Sequence, residues 1–237
     1  MKKVISILKF VIIIVVIALL LIFFISIRQL YESSSIKAFI VQMSNFDSAI
    51  DQFYTKYEAL PGDLKSTVEF GLSKESSDGN NNGIIEDRNN HINSASGEVT
   101  NFWMHLSRSG MINQNFDGLE NQNAKIDSSF PGSAIGTSVG ITVFGYNGKN
   151  YYQIGVDGAN DKNIIMSDNS FRSEEAADID IKIDDGFPFA GRIIATSGEL
   201  LNQFSQNKKC VFDSEYNIKS KIPSCQLRIE IGAFYKL

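Results

Sequence analysis

One long apolar run near the N-terminus constrains this 237-residue chain more than any other feature. From Phe10 to Ile27 every residue is apolar except Ser26. As a helix this run spans about 27 Å, close to the hydrocarbon thickness of a bilayer. A cleaved secretory signal is shorter and ends in a small-x-small site, which the residues from Phe23 to Arg28 do not offer. The run therefore favours an uncleaved, membrane-spanning helix over a secretory signal.

Charge is divided unevenly between this N-terminal segment and the rest of the chain. The whole chain carries −5, whereas residues 1–27 hold Lys2, Lys3 and Lys9 and no acid, so the remainder carries −8. Lysines on the N-terminal flank of an apolar span predict that this flank is cytoplasmic and that the acidic remainder lies outside. An acidic body repels polyanions, so no nucleic-acid partner is expected.

A second helical pattern follows the three serines at 33–35. Polar residues, Asp47 among them, lie mostly off its apolar stripe, and Pro61-Gly62 ends it. Residues 28–58 are thus predicted to continue the helix as an amphipathic segment, giving one helix about 80 Å long over residues 4–58. A membrane helix, a hinge at the serines and a separate core helix fit the pattern equally. The apolar positions recur at steps of three and four: Ile36, Phe39, Ile40, Met43, Phe46, Ile50, Phe53, Tyr54 and Tyr57.

Residues 59–237 are predicted to form the body of the protein, and strand signals dominate there. Asn147-Gly148 separates two strand-like runs and fits the type I′ turn of a β-hairpin. The predicted fold class is α+β, with the long N-terminal helix packed on an antiparallel sheet. We expect helices at 98–109 and 173–184, and strands at 141–146, 149–156, 192–196 and 226–231.

Four segments give the chain a resemblance to a known family. They are 53–63 (FYTKYEALPGD), 78–86 (DGNNNGIIE), 102–112 (FWMHLSRSGMI) and 179–188 (IDIKIDDGFP). In this order they resemble the type IV pilin and type II secretion pseudopilin superfamily over most of the chain. The resemblance implies a single-pass inner-membrane protein with its body in the periplasm or in a surface fibre. It also implies that the long helix packs with other pilin-like subunits or with secretion machinery.

The N-terminus departs from the family pattern at two positions. Members carry Gly or Ala before a Phe-like first mature residue and Glu at the fifth mature position; with Phe10 as the first residue, Lys9 and Ile14 stand there. A buried Glu pairs with the N-terminal ammonium of a neighbouring subunit, whereas Ile14 offers only packing. Two interpretations follow. Either Phe10 to Ile27 is the membrane and assembly segment of a structural subunit, or the chain is a non-polymerising, membrane-tethered periplasmic recognition domain.

Residues 78–87 have the oxygen-ligand spacing of a calcium loop. Gly83 stands at the bend, and Asn89 replaces the bidentate Glu at the twelfth position, so binding is expected to be weak, with a Kd on the order of 10⁻⁴ M. A flexible polar loop without a metal fits the sequence equally. The predicted ligands are the side chains of Asp78, Asn80, Asn82 and Glu86 and the backbone carbonyl of Ile84.

Three further acids and two cysteines complete the candidate sites. Asp180, Asp184 and Asp185 could bind a cation or cap the turn after their helix, but solvation of the helix end is the expected role. Pilins often close a C-terminal loop with a disulfide, so the resemblance implies a bridge between Cys210 and Cys225, with a contribution of about 3 kcal/mol. Two buried free thiols are the alternative.

We expect no enzyme and no small-molecule substrate, because no catalytic constellation is present. The segment Gly136 to Gly140 matches a nucleophile elbow, but it precedes a predicted strand, and both His91 and His105 come before it. The sequence contains no Cys-x-x-Cys, His-Glu-x-x-His or phosphate-binding loop. Phe102 and Trp103 are predicted core residues, and His105 a partly buried helix residue.

Overall fold

The computed structural model describes residues 2–72, 78–88, 95–120, 123–156, 169–196 and 209–234, which have an α+β fold. The helices are α1 (Lys2–Tyr57), α2 (Glu98–Arg108) and α3 (Ser173–Ile183). The strands are β1 (Val139–Tyr146), β2 (Lys149–Val156), β3 (Ile193–Thr196), β4 (Val211–Phe212), β5 (Glu215–Tyr216) and β6 (Gln226–Glu230). Within the described part of the chain, none of the helices is both long and apolar enough to cross a membrane.

Four strands form one antiparallel sheet in the order β1-β2-β6-β3, as the predicted fold class requires. Asn147 and Gly148 join β1 to β2 with φ values of 50° and 75°, the positive values that a type I′ turn needs. The hairpin prediction is therefore confirmed. A second pair, β4 and β5, was not predicted, because strands of two residues leave no periodic signal in a sequence.

The outer half of α1 packs on the body through the predicted apolar stripe. Ile36, Phe39, Met43, Phe46, Ile50 and Phe53 are all buried in the core. Edge-to-face ring contacts join α1 to the body: Phe39 to Phe171 at 5.9 Å and Phe46 to Trp103 at 4.9 Å between ring centroids. Tyr54 departs from the prediction and is 53% exposed.

Asp47 corrects the sequence-based assignment of helix faces. It was predicted to lie off the buried stripe, yet the structure buries it completely. Its Oδ1 accepts hydrogen bonds from the hydroxyl of Tyr152 at 2.8 Å and the amide of Gly232 at 3.0 Å, and its Oδ2 accepts one from the amide of Phe234 at 3.0 Å. Burial raises the pKa of Asp47, while these bonds act in the opposite direction. One carboxylate thus joins α1 to β2 and to the C-terminal turn.

Loops of the chain itself occupy both edges of the four-stranded sheet. Backbone amides on β3 and β1, the two edge strands, donate hydrogen bonds to neighbouring loops. Occupied edges resist pairing with strands of other molecules. The four bonds run from Ile193 to the Asp184 carboxylate (3.0 Å), from Ala195 to the Pro188 carbonyl (2.8 Å), from Ile141 to the Pro131 carbonyl (2.9 Å) and from Gly145 to the Ile85 carbonyl (2.6 Å).

The substitution Asp47→Asn tests the contribution of this buried carboxylate. It replaces one acceptor oxygen with an NH₂ group, so two donors face each other beside Phe234. We expect a loss of about 3 kcal/mol in the free energy of unfolding, measured by urea denaturation of the full chain in detergent micelles. Asp51→Asn is the matched control, since Asp51 is exposed on the same helix, and it should change stability by less than about 0.5 kcal/mol. Equal effects of the two variants would contradict the role of Asp47.

Candidate functional site

The predicted calcium loop, residues 78–87, lies between the turn that follows α1 and the N-terminus of α2. Two carboxylates outside the loop bind its backbone. Asp63 accepts hydrogen bonds from the amides of Asn82 and Gly83, at 3.1 and 2.7 Å. Glu98, the first residue of α2, accepts them from the amides of Asn80 and Glu86, at 2.9 and 3.0 Å. Four backbone donors of the loop are therefore satisfied by two side chains from neighbouring segments.

Three of the predicted ligand side chains meet at one point. The amide nitrogens of Asn80 and Asn82 each lie 3.1 Å from Oε2 of Glu86. Their amide oxygens accept hydrogen bonds from the loop backbone, Asn80 from Asn82 at 2.9 Å and Asn82 from Ile84 at 2.7 Å. The two amides therefore present N–H donors to Glu86, while their oxygens, the groups that could bind calcium, accept backbone hydrogen bonds.

The other predicted ligands are arranged differently. Asp78 Oδ1 accepts hydrogen bonds from both the amide and the hydroxyl of Thr67, each at 2.8 Å, so this oxygen holds the preceding turn. Ile84 is half-buried, and its carbonyl remains the proposed backbone ligand. Asn89, at the twelfth position, lies outside the described residues. The loop therefore brings together three of the five predicted ligands and directs one oxygen of a fourth elsewhere.

The electrostatics of the loop favour a cation. A cavity of about 290 Å³ is lined by four acids and one base, and the base, Arg88, lies 2.9 Å from Glu120. Burial raises the pKa of Glu98; its bonds to the amides of Glu86 and Asn80 oppose this rise, and the charges of Asp63 and Glu86 add to it. Crowded carboxylates with hard oxygens fit calcium in donor type. The charged and amide residues lining the cavity are Asp78, Asn80, Glu86, Asp87, Arg88, Glu98 and Asn101.

A second acidic cluster lies at the C-terminus of α3. Within the described residues, Asp180, Asp184 and Asp185 are the acids whose oxygens come within 4.8 Å of one another, and such clusters are common without a metal. Each accepts a backbone hydrogen bond from the following turn: Asp180 from Gly186 at 3.1 Å, Asp185 from Phe187 at 2.8 Å, and Asp184 from both Arg192 and Ile193. These carboxylates therefore cap the turn after α3, and the expected solvation of the helix end is wrong for Asp180, which is fully buried.

Asp180 also joins this cluster to the C-terminal hairpin. It is fully buried, and its Oδ2 accepts a hydrogen bond of 2.6 Å from the hydroxyl of Tyr216 on β5. Burial raises the pKa of Asp180 to about 6, and the charges of Asp185 and Asp184 act in the same direction. Near pH 6, Asp180 is therefore protonated in a fraction of the molecules.

Cys210 and Cys225 form a disulfide, which confirms the bridge that the resemblance implied. Both residues are fully buried, and the alternative of two free thiols does not hold. The bridge closes the segment that contains β4 and β5. Cys225 also exchanges backbone hydrogen bonds with Phe171, one of the rings packed against α1.

The predicted membrane and assembly segment is exposed where its side chains are described. All residues from 11 to 24 are exposed, with Ile14 at 52%, and Ile27 follows at 49%. The side chain of Phe10 lies outside the described residues. Among the residues that the structure describes, none of the body covers this stretch of α1.

The residues assigned to the core lie there, with one correction. Phe102 and Trp103 are fully buried, as predicted. His105 is fully rather than partly buried, and its Nδ1 accepts a hydrogen bond of 2.9 Å from the amide of Gly62. Burial lowers the pKa of His105 to about 4, so the side chain is neutral at physiological pH. Ser138, the serine of the apparent nucleophile elbow, lies in the turn before β1, while His91 is outside the described residues.

Sequence reasoning missed Asp63 and Glu98, the two acids that hold the loop. Glu98 looks like an ordinary acid in the first turn of a helix, where its negative charge interacts favourably with the helix dipole. Asp63 looks like a turn residue after Pro61-Gly62. Neither pattern indicates that the partners lie in a loop between them.

Comparisons with protein-family models, with curated proteins and with solved structures find no significant match for this chain.

Calcium titration tests the loop. Raising calcium to about 10 mM, roughly 100 times the predicted Kd, should stabilise the full chain by about 2.7 kcal/mol and raise its Tm. Glu86→Gln should remove most of this gain, because it removes the charged ligand on which Asn80 and Asn82 converge. Glu69→Gln, an exposed acid outside the loop, should respond to calcium like the unmodified chain. A Tm that does not respond to calcium would show that Asp63 and Glu98 hold the loop without a metal.

Proposed function

We propose that this protein is a pilin-like structural subunit, anchored in the inner membrane by residues 10–27 and carrying its body in the periplasm. Assembly into or onto a type IV pilus or a secretion pseudopilus takes place through lateral packing of α1 against other pilin-like subunits. The membrane anchor rests on the apolar run and on the lysines that precede it. The family assignment rests on the four segments that resemble pilins and pseudopilins.

One observation carries this proposal: α1 has two halves with opposite environments. Its first half exposes every described side chain from residue 11 to residue 24, although nearly all are large and apolar. Its second half buries Phe39, Met43 and Phe53 in the core of the body. We take α1 as one continuous rod, so that packing of the exposed half in a membrane or fibre would position the body directly. Large apolar surfaces of this kind mark membrane or protein contacts.

The edges of the sheet are covered, which disfavours assembly by strand addition and so supports assembly through α1. Hydrogen bonds from Ala195 to Pro188 and from Ile141 to Pro131 place loops along its two edges. Strand addition at these edges would require the loops to leave. Lateral association through the exposed half of α1 requires no such rearrangement.

The departures at Lys9 and Ile14 favour a second candidate function. Without a small residue at position 9, processing before Phe10 is disfavoured, and without an acid at position 14 no carboxylate is available for a neighbouring N-terminus. The alternative is a membrane-tethered periplasmic recognition domain that does not polymerise. N-terminal sequencing of the membrane-bound protein separates the two: Phe10 as first residue supports a processed subunit, and Met1 or Lys2 supports the tether.

Cross-linking of intact membranes tests assembly. A structural subunit should give a ladder of oligomers, and Ile14→Lys should reduce the ladder at least about tenfold, because a buried lysine between packed helices is costly. Val68→Lys is the matched control, since Val68 is a similarly exposed apolar residue on the body, at 51%. Monomers alone, with membrane insertion intact, would contradict assembly. A ladder that Ile14→Lys and Val68→Lys reduce equally would contradict the role of α1.

A further inference from the structure

The turn after α3 displays an apolar surface that the proposed assembly does not use. We define the Phe187 surface by three apolar residues, Ile181, Phe187 and Phe189, and by the acids beside them, Asp178, Asp184 and Asp185. Ile181 is 67% exposed, Phe187 61% and Phe189 62%. Isolated exposed apolar side chains are common, but three large ones on consecutive segments of one small region indicate a contact surface.

The end of α3 and the turn after it carry these apolar residues on a backbone that is fixed by hydrogen bonds. Ile181 lies over Gly186, where an added Cβ would come within 2.9 Å of Ile181 Cγ1, and Phe187 is the next residue. Pro188 is buried between the two phenylalanines, and its carbonyl accepts a hydrogen bond of 2.8 Å from Ala195 on β3. The turn is therefore anchored to the sheet while both rings point to solvent. The backbone that carries the rings is thus preorganised, so that ordering it costs little conformational entropy on binding.

The acids fix the same turn and charge its surroundings. Asp185 accepts the amide hydrogen of Phe187 at 2.8 Å, and Asp184 accepts those of Arg192 and Ile193. These bonds to neutral amides leave the negative charge of the carboxylates in place. The Arg192 side chain donates instead to the carbonyl of Gly232, at 3.2 Å. Lys182 lies 3.9 Å from Asp178, and both are about half exposed, so this pair is weak.

We propose that the Phe187 surface binds a protein segment whose apolar side chains are flanked by lysine or arginine. Apolar groups of the partner cover the two rings and Ile181, and its cations lie beside Asp178 and Asp185. Charge complementarity selects this partner. A second copy of the acidic body would bring carboxylates against carboxylates, and anionic lipids would meet the same repulsion.

Binding of a defined probe tests this surface. The probe is a fluorescent, end-blocked hexapeptide of alternating lysine and leucine, titrated against the full chain in non-ionic detergent micelles, with empty micelles as the blank. Its counterpart replaces lysine with glutamate. The lysine peptide should bind at low salt and more weakly as salt rises, and the glutamate peptide should not bind. Absence of lysine-peptide binding, or equal binding of the two peptides, would overturn the proposal.

Variants locate the binding. Phe187→Ser with Phe189→Ser should weaken binding of the lysine peptide about tenfold or more, as loss of central aromatic contacts does at other interfaces. Phe212→Ser with Ile218→Ser is the matched control, because these residues are 46% and 58% exposed elsewhere on the body, and it should change binding less than about twofold. Equal losses in the two double variants would overturn the assignment.

Substitution of the acids tests whether their charge contributes to binding of the lysine peptide. Asp178→Asn with Asp185→Asn should weaken binding several-fold at low salt and flatten its salt dependence, since the asparagine oxygen at position 185 can still accept the Phe187 amide. Binding that keeps its full salt dependence in this variant would contradict the role of the charges.

Tight binding to vesicles containing anionic lipid that is lost in the Phe187 and Phe189 variant would overturn the protein partner in favour of a membrane surface.

Discussion

The hydrogen bonds of Asp47 determine how α1 sits on the body, and the rest of the fold depends on that placement. Apolar contacts along the stripe hold the helix but are non-directional, so they tolerate some rotation and sliding. A carboxylate that accepts bonds from Tyr152, Gly232 and Phe234 permits neither. Because these partners come from β2 and from the C-terminal turn, one side chain sets the helix against both the sheet and the end of the chain.

Hydrogen bonds from backbone amides to carboxylates also explain why the body is rich in acidic residues. Asp63, Glu98 and Asp184 each accept hydrogen bonds from two backbone amides of neighbouring segments, as Asp47 does from the C-terminal turn. A carboxylate accepts such bonds more strongly than a neutral group, and it can satisfy several donors at once. Loops with little regular structure are thereby held in place. Asp47, Asp63 and Glu98 are buried, whereas Asp184 remains partly exposed.

Local chemistry in the sequence predicted those parts of the fold that depend on adjacent residues. The turn at Asn147-Gly148, the limits of α2 and the stripe on α1 follow from backbone preferences and from periodicity. The disulfide followed from the resemblance to pilins. The buried acids could not be predicted in the same way. Asp47 bonds to Phe234, 187 positions away, and a helical pattern assigns any such acid to the surface.

The candidate calcium loop shows the same division. Spacing indicated the candidate ligands, since alternating oxygens around a glycine bend are a local pattern. The role of Asp63 and Glu98 could not be predicted, because it depends on contacts between the turn after α1, the loop and the start of α2. The Phe187 surface could not be predicted from the sequence either. The sequence shows the acids Asp180, Asp184 and Asp185, but it does not show that the phenylalanine rings beside them are exposed.

A distance measurement along α1 tests most directly whether the apolar segment and the body are one rigid unit. Spin labels at Leu20 and Asn45 lie on either side of the three serines, and both positions are exposed. In the full chain reconstituted in lipid nanodiscs, a continuous helix predicts one narrow distance distribution near about 38 Å, from 1.5 Å per residue. A broad distribution, or a clearly shorter mean distance, would place a hinge at the serines and contradict a helix that positions the body directly.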